Sequence, residues 1–547
     1  MTVARSSLIM ASGTIVSRIL GLVRTVMLAG AIGVATNGAD AFAVANQLPN
    51  NVYAIIVGGL LNAVLVPQIV RAKVHKDGGK GYIDGLLTVI ITAFAVITVF
   101  ATLLAPVLVR IYTSGWNEST LALATAFAYW CLPQLFFYGL YSILGEVLNA
   151  KSSFGPFMWA PVINNLVAIV GLGIFVWMFG PVGLDLNHAW TEVQISILAG
   201  TATLGVASQA LILFFFWKRI GLRFTFNFKL RGLGLRPALK AASWTLAMLV
   251  ITQIGGLIQT NLTSTTLAAR ASIAGDGWES QQRFASVAVA GIAWLIFMIP
   301  HSVGTVSIAT AYFTRMSEHA HAKKFDLLKA DIVKALRSIL ALSAFATSVM
   351  IVLSYPISRV FAPDGGSIAA LGNVLIAMMF GLIPFSVNFM LQRVFYALED
   401  TKSPFIFTTI QIVLFVIGCY ICASVVPAIG LVAAISLVMS VSFAVQSVLA
   451  YLLLTQRIGS LGAGRLGRYS LQVIGAAVVA GFVAVALPYL LGGLSLVNFS
   501  LAGGLNALLS CLVVTALAGA IYLGILWLAK NDEARTALAS VKGILRR

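Results

Sequence analysis

Residues 13–30 read GTIVSRILGLVRTVMLAG, an apolar run that contains two arginines, Arg18 and Arg24. A membrane-spanning helix needs about 20 mainly apolar residues, and this run with its flanks is long enough. A cleaved signal peptide needs an uncharged core, so the arginines favour a first helix that stays in the membrane. The stretch therefore predicts a membrane protein whose first span carries two permanent charges.

The composition extends this prediction to the whole chain. Of its 547 residues, 60% are hydrophobic and 10% are charged, whereas an ordinary soluble domain is about 25% charged. Apolar runs of spanning length recur throughout and leave no room for a sizeable soluble domain. The cysteines lie inside apolar segments and predict neither a disulfide framework nor an exposed thiol; they are Cys131, Cys419, Cys422 and Cys511.

Turn residues and charge clusters divide the chain into about 14 predicted spans. These are 6–34, 38–70, 82–112, 119–148, 156–180, 193–217, 238–269, 282–314, 332–361, 368–396, 404–424, 427–454, 468–492 and 499–529. The turns NAKSSFGPF (149–157) and ALEDTKSPF (397–405) echo each other six spans apart, which predicts two parallel repeats around a central cavity.

We therefore expect an all-α polytopic membrane protein with two six-helix lobes and two further C-terminal helices. The predicted divisions are an N-terminal lobe (1–217), a basic cytoplasmic loop (218–237), a C-terminal lobe (238–454), two spans that form a lipid-tail groove (455–529) and a cytoplasmic tail (530–547).

The formal charge of +18 is distributed asymmetrically. With a cytoplasmic N-terminus, 29 of the 35 lysines and arginines fall on the even-numbered loops and the two ends. Only Arg110, Arg270, Arg283 and Arg359 fall at or near the opposite face, which leaves Arg18 and Arg24 inside the membrane. The positive-inside rule then predicts that both termini are cytoplasmic, and the charge is a topology signal rather than a nucleic-acid footprint.

Two interpretations of Arg18 and Arg24 remain open on sequence grounds. An arginine inside a membrane is costly and usually faces water or a partner. The first interpretation is a buried ion pair, for which Asp40 is the nearby candidate. The second, which we favour, is an aqueous cavity in which guanidinium groups bind phosphate. The two residues lie about 120° apart around an ideal helix, so a larger headgroup suits them better than one small anion.

Predicted span 2 clusters four amides around Pro49. They either satisfy carbonyls freed by the proline or, as we favour, form a cavity wall; they are Asn46, Gln47, Asn50 and Asn51. Other polar residues inside predicted spans are individually more typical of hydrogen bonds between helices; they are Gln134, Glu146, Asn164, Asn165, Gln253, Gln259, Asn261, His301, Asn388 and Gln392. Polar residues concentrate in predicted spans 1, 2, 7 and 8, so four residues of spans 7 and 8 are secondary cavity candidates: Gln253, Gln259, Asn261 and His301. For His301, a buried histidine with a hydrogen-bond partner is the better interpretation.

Three segments carry a family resemblance: SRILGLVRTVMLAGAIG (17–33), GADAFAVANQLPN (38–50) and LNAVLVPQIVRAK (61–73). Together they resemble the opening of the MurJ (MviN) family of lipid II flippases, in the multidrug/oligosaccharidyl-lipid/polysaccharide exporter superfamily. The NAKSSFGPF turn resembles actinobacterial members.

The resemblance implies pyrophosphate contact by Arg18 and Arg24, with Asp40 positioning them. Family members often carry a basic residue at the position of Tyr53, a further cavity candidate, and another before the span 8 proline, where GIAWLIFMIP has none. Either the two arginines suffice with help from the amides, or Arg270 or Arg283 enters the cavity from the outer side.

The resemblance implies that lipid II, a disaccharide pentapeptide on undecaprenyl pyrophosphate, is flipped across the inner (cytoplasmic) membrane by alternating access. We expect membrane lipids and cell-wall synthesis or regulatory proteins as further partners. We expect no enzyme activity, cofactor, metal or nucleic-acid partner, since the sequence has no Walker-type loop and no catalytic constellation. Two alternatives stay open: an exporter of another polyprenyl-linked glycan, and a membrane scaffold for cell-wall enzymes.

Overall fold

The structure, a computed structural model, describes residues 3–56, 80–150, 153–183, 188–219, 224–228, 235–272, 283–492 and 496–531. Within these ranges the chain forms α-helices and one short π-helical segment, and the described residues include no β-strand. The predicted all-α fold class is confirmed.

The helices of the first half are α1 (Val3–Ile32), α2 (Asn37–Ile56), α3 (Lys80–Leu103), α4 (Ala105–Tyr112), α5 (Glu118–Cys131), α6 (Gln134–Ala150), α7 (Phe154–Phe179), α8 (Glu192–Arg219), α9 (Leu235–Ser264) and α10 (Thr266–Ser272). The second half contains α11 (Val287–Pro300), a π-helical segment (His301–Thr305), α12 (Val306–His321), α13 (Phe325–Val352), α14 (Ser354–Phe361), α15 (Gly365–Met379), α16 (Leu382–Ala397), α17 (Lys402–Val425), α18 (Ala428–Ile458), α19 (Ala463–Gly492), α20 (Leu496–Ala502) and α21 (Gly504–Leu528).

The chain divides into two compact units. The first comprises Met1–Ser272 with Ser286–Ala288. In this unit α1 packs on α7, α7 on α8 and α2 on α5, around a core that includes the fully buried Phe127 and Phe175. Helix α9, which the sequence analysis assigns to the second lobe, packs here against α2 and α4.

The second unit comprises Ile273–Ala285 with Val289–Arg547. Here α13 packs on α19, α19 on α21 and α17 on α18. One core cluster includes the fully buried Phe395 and Phe407, and Tyr522 of α21 packs with α13 and α19 in another.

Eleven helices of the described residues are long and apolar enough to cross a membrane, or up to 13 if each of two bent pairs is one span. Helices α3 and α4 bend by 73° at Leu104, where Pro106 has no N–H to continue the helical ladder. Helices α15 and α16 bend by 45°. The predicted count of 14 stays a prediction, and predicted span 2 (38–70) extends beyond the described residues.

The ALEDTKSPF turn is held together by Asp400. Its Oδ1 accepts hydrogen bonds from the backbone N–H groups of Lys402 and Ser403, each at 3.0 Å, at the start of α17. Its Oδ2 accepts from the Ser403 hydroxyl at 2.6 Å and from Arg457 of α18. Burial alone raises the pKa of Asp400, but these donors together hold the pKa below its ordinary value. Asp400 therefore stabilises the turn mainly as a carboxylate.

We predict that Asp400→Ala lowers the stability of the detergent-solubilised protein by about 1–2 kcal/mol, because the first turn of α17 loses its acceptor. A lowered folded pKa means that the contribution is present above the unfolded pKa of about 4 and is lost as the pH falls through the folded pKa. Thermal melts at neutral and acidic pH measure both effects. Glu399→Ala, at the exposed preceding position, is the control, and an equal loss in both variants would contradict the prediction.

Candidate substrate site

The orientation of α1 is fixed by an amide of α7. Asn165 donates from Nδ2 to the backbone oxygen of Ser17 at 2.9 Å and also lies 3.3 Å from Ser17 Oγ. Gly21, one turn further along α1, faces the same amide: a Cβ built on Gly21 would lie 3.7 Å from Asn165 Nδ2. With this face against α7, Arg18 is exposed and Arg24 is half-buried. The two guanidinium groups thus occupy different environments, as their predicted angular separation indicates.

A hydrogen-bond network near Arg24 links three helices. The Arg24 guanidinium is close enough to Tyr138 of α6 to interact with it electrostatically. The Tyr138 hydroxyl donates to Gln134 Oε1 at 3.3 Å, and Gln134 Nε2 donates to Asn46 Oδ1 at 3.2 Å and to Thr203 Oγ1 at 3.1 Å. Gln134 is only 1% exposed, so its two amide atoms are oriented by these contacts. The network ties α6 to α2 and α8, and Arg24 of α1 lies within electrostatic range of it.

The other amides of α2 bond mainly to neighbouring helices of the first unit. Gln47 Nε2 donates to Thr260 Oγ1 at 3.3 Å, and Asn51 Nδ2 donates to the Tyr112 hydroxyl at 3.2 Å. Asn50 is exposed. The cluster around Pro49 therefore joins α2 to α4 and α9 while it leaves one amide at the surface.

Tyr53 takes the position where relatives of the resembled family often carry a basic residue. Its hydroxyl forms a hydrogen bond with Ser142 Oγ of α6. Its ring lies 5.3 Å, centroid to centroid, from the ring of Tyr138. Tyr53 is thus a neighbour of Tyr138, whose phenol interacts electrostatically with Arg24. It contributes a hydroxyl and an aromatic ring where the resemblance implies a basic residue.

Asp40 pairs with Arg270 of α10. Arg270 Nη1 lies 3.1 Å from Asp40 Oδ2, and the backbone N–H of Ala288 donates to Asp40 Oδ1 at 2.9 Å. The side chains of Asp40 and Arg270 are 0% and 3% exposed. The implied role of Asp40 in positioning Arg18 and Arg24 finds no support in these contacts, and Arg270 lies in a buried ion pair and not in an open cavity. Because Asp40 and Arg270 lie 230 residues apart, no local sequence pattern indicates that they form a pair.

The secondary candidates lie in both units. In the first, Gln253 Nε2 donates to the backbone oxygen of Asn51 at 2.9 Å, Asn261 Nδ2 donates to the Ile111 oxygen at 3.1 Å, and Gln259 is half-buried. Gln253 and Asn261 thus bond between helices, as their residue type predicts.

His301 belongs to the second unit and lies in the π-helical segment directly after Pro300. It is 2% exposed. Its Nδ1 lies 3.2 Å from Ser386 Oγ, and the rings of Phe385 and Phe389 lie 4.5 and 5.1 Å from it. It is a buried side chain with a hydrogen-bond partner and aromatic neighbours.

Tyr138, Thr203 and Ser142 are site neighbours that the sequence reasoning missed. Tyr138 follows Gln134 by four residues, which places both on one face of α6. That spacing is a signal that could have found the phenol. Thr203 and Ser142 are common helix residues, and only the packing of the helices distinguishes them.

We predict that Asp40→Ala is strongly destabilising, by about 3–5 kcal/mol, because it leaves the Arg270 charge buried without its carboxylate. Glu118→Ala is the matched control: it also removes one acid of an ion pair, but Glu118 is 86% exposed and lies 3.7 Å from Arg110, so we expect a loss within about 1 kcal/mol. Thermal unfolding in detergent measures both variants. Similar losses would show that the buried pair does not anchor α10 to α2.

Comparisons with known proteins show which family the chain resembles. The family model of the lipid II flippase MurJ matches residues 28–524. The chain is 27% identical over 428 residues to the probable lipid II flippase MurJ of Rickettsia prowazekii, which covers 76% of this chain and 77% of the relative. It is also 27% identical over 558 residues to the lipid II flippase MurJ of Burkholderia cenocepacia, covering 96% and 97%.

Two solved structures establish the fold. A lipid II flippase MurJ in an inward closed conformation superposes with a TM-score of 0.71 at 19% identity, covering 95% of this chain and 99% of that one. An inward-facing multidrug resistance MATE family transporter of the MOP superfamily superposes with a TM-score of 0.57 at 18% identity, covering 82% and 99%. The extent of the family match carries the assignment, and the chain belongs to the lipid II flippase MurJ family.

Proposed function

We propose that the protein flips lipid II from the inner to the outer leaflet of the cytoplasmic membrane. The observation that carries this proposal is the family match across residues 28–524, which covers most of the chain. The environment of Arg24 supports it, because this guanidinium lies within electrostatic range of Tyr138 and of the oriented polar groups bonded to it in the first unit.

In this proposal Arg18 and Arg24 hold the pyrophosphate of the substrate. Guanidinium groups bind phosphate oxygens with two parallel N–H donors and stay charged at every physiological pH. Arg24 is half-buried beside Tyr138, whereas Arg18 is exposed. A pyrophosphate with its attached sugar is large enough to engage two groups about 120° apart, with Arg24 as the oriented contact and Arg18 as the adaptable one.

Transport proceeds by alternating access. The headgroup binds the polar face of the first unit from the cytoplasmic side, and the conformation then changes so that this face opens outward. The polyprenyl tail stays in lipid throughout, and we assign its groove to the two C-terminal spanning helices. Helix α21 supports this role, since it turns exposed apolar side chains outward, among them Leu505 and Leu512 at 70% and 61% exposure.

The proposed orientation places both termini in the cytoplasm. It rests on the 29 of 35 basic residues that fall on one side of the predicted topology. With this orientation the anionic headgroup moves in the direction that an inside-negative membrane potential favours, at about 2.3 kcal/mol per charge per 100 mV.

We predict that Arg24→Ala and Arg18→Ala lose lipid II transport. Each variant removes a charged hydrogen-bond donor, a loss typically of about tenfold or more. Arg24→Lys keeps the charge and loses the planar donor pair, so we expect it to rescue Arg24→Ala only partly. The measurement is the fraction of lipid II exposed on the outer leaflet of cells that are depleted of the protein and then supplied with each variant at matched membrane levels.

Arg110→Ala is the control, because Arg110 is an exposed arginine whose ion pair with Glu118 lies at the surface. We expect it to restore lipid II exposure fully. Unchanged exposure after depletion would show that lipid II is not the substrate. Full restoration by both Arg18→Ala and Arg24→Ala would show that the two arginines have a structural role.

A further inference from the structure

The second unit contains a cationic cavity. It has a volume of about 470 Å³ and lies between the start of α13, the 459–462 loop and the start of α19. Four of its lining residues are basic and none is acidic. They are Lys329, Lys334, Arg337 and Arg465.

The helical spacing brings these charges together. Lys329 and Arg337 lie eight residues apart on α13, with Val333 midway, so all three fall along one face. Lys329 and Arg337 are half-buried, so their mutual repulsion is less screened than at an open surface. A group of basic residues with no acid in its lining is suited to binding an anion.

Helix α13 carries two acids near its start, and neither lines the cavity. Asp326 is exposed, and Asp331 is engaged elsewhere. Asp331 is 3% exposed, and its carboxylate lies 2.7 Å from Arg315 Nη2 and 3.0 Å from His319 Nδ1 on α12. The ion pairs found among the described residues involve none of Lys329, Lys334 and Arg465. The cavity therefore keeps a net positive charge.

Two features hold the cavity in shape. The guanidinium of Arg337 lies over the ring of Tyr469, 4.9 Å from its centroid, and the Tyr469 hydroxyl donates to the Arg337 backbone oxygen at 3.2 Å. Gly462 (φ 76°) adopts a left-handed conformation just before α19 begins. The first N–H groups of this 30-residue helix are at its positive end, which adds to the attraction for an anion.

The position of the cavity indicates a lipid ligand. Helices α13 and α19 both have the length and hydropathy of membrane spans, and the cavity lies where each begins. Beyond it, α19 turns Leu471 and Phe482 outward at 75% and 74% exposure, an apolar surface along which acyl chains can lie. Basic pockets at the cytoplasmic ends of membrane helices typically bind phospholipid headgroups.

We propose that this cavity binds the phosphate headgroup of an anionic phospholipid of the surrounding membrane. Lys329 and Arg465 contact the phosphate from opposite walls, one from each helix, while Arg337 is held in place by Tyr469. A bound headgroup would thereby join α13 to α19. The proposal rests on this cavity and on the proposed orientation of the chain, and it does not depend on lipid II being the transported substrate.

The test compares phosphatidylglycerol with phosphatidylcholine binding to the purified full chain in detergent, by native mass spectrometry. The double variant Lys329→Gln/Arg465→Gln removes one charge from each wall and leaves the packed Arg337 intact. The matched control, Lys323→Gln/Lys324→Gln, removes the same charge from two exposed lysines that precede α13 and do not line the cavity. Thermal melts establish that both variants are folded, and glycerol phosphate serves as a soluble competitor.

We expect the wild type and the control to retain phosphatidylglycerol over phosphatidylcholine, and the cavity variant to bind it at least about tenfold more weakly. Equal phosphatidylglycerol binding by a folded cavity variant and the wild type would overturn the proposal. Displacement of the lipid by an equal concentration of glycerol phosphate would also overturn it, since the site would then bind a soluble phosphate. The outcome of the lipid II transport test of Arg18→Ala and Arg24→Ala does not bear on this proposal, because those residues belong to the first unit and phospholipid binding is measured separately.

Discussion

A polar group inside a membrane protein must find a hydrogen-bond partner or reach water, and this constraint organises the first unit. Asp40 satisfies it with Arg270 and with the backbone N–H of Ala288. Gln134 satisfies it by using both its amide nitrogen and its oxygen. The bonds of Asp40 to Arg270 and Ala288, and those of Gln134 to Asn46 and Thr203, join segments far apart in the sequence. The cost of an unpaired polar group thus helps to specify which helices are neighbours.

The same constraint explains why two arginines on one helix are not equivalent. Asn165 fixes the rotation of α1 through the Ser17 backbone oxygen. With that face packed on α7, Arg24 is half-buried within electrostatic range of Tyr138 of α6, whereas Arg18 is exposed. Orienting a donor before its ligand arrives lowers the entropic cost of binding. In the proposed function, the half-buried Arg24 fixes the position of the anion and the exposed Arg18 follows it.

The sequence predicted well those features that depend on local composition. Apolar length predicted the helices, and the residue types of Gln253 and Asn261 predicted hydrogen bonds between helices. It could not identify the partners, since Asp40 and Arg270 lie 230 residues apart and are brought together only by the tertiary fold. The family resemblance instead assigned Asp40 to the arginines of α1, and the structure gives it a different partner.

Net charge was a poor guide to individual sites for a related reason. The positive-inside rule accounts for Lys329, Arg337 and Arg465 as three charges of a topology signal, because it counts basic residues without regard to their neighbours. The fold places them around one cavity and directs the nearby Asp331 toward Arg315. A residue selected for orientation at the membrane thus acquires a second property from its packing. Whether a basic residue is only a topology signal or also part of a site depends on whether the fold pairs it with an acid. Arg270 is paired with Asp40 in a buried core. The basic residues of the cavity surround a space that has no acidic residue in its lining.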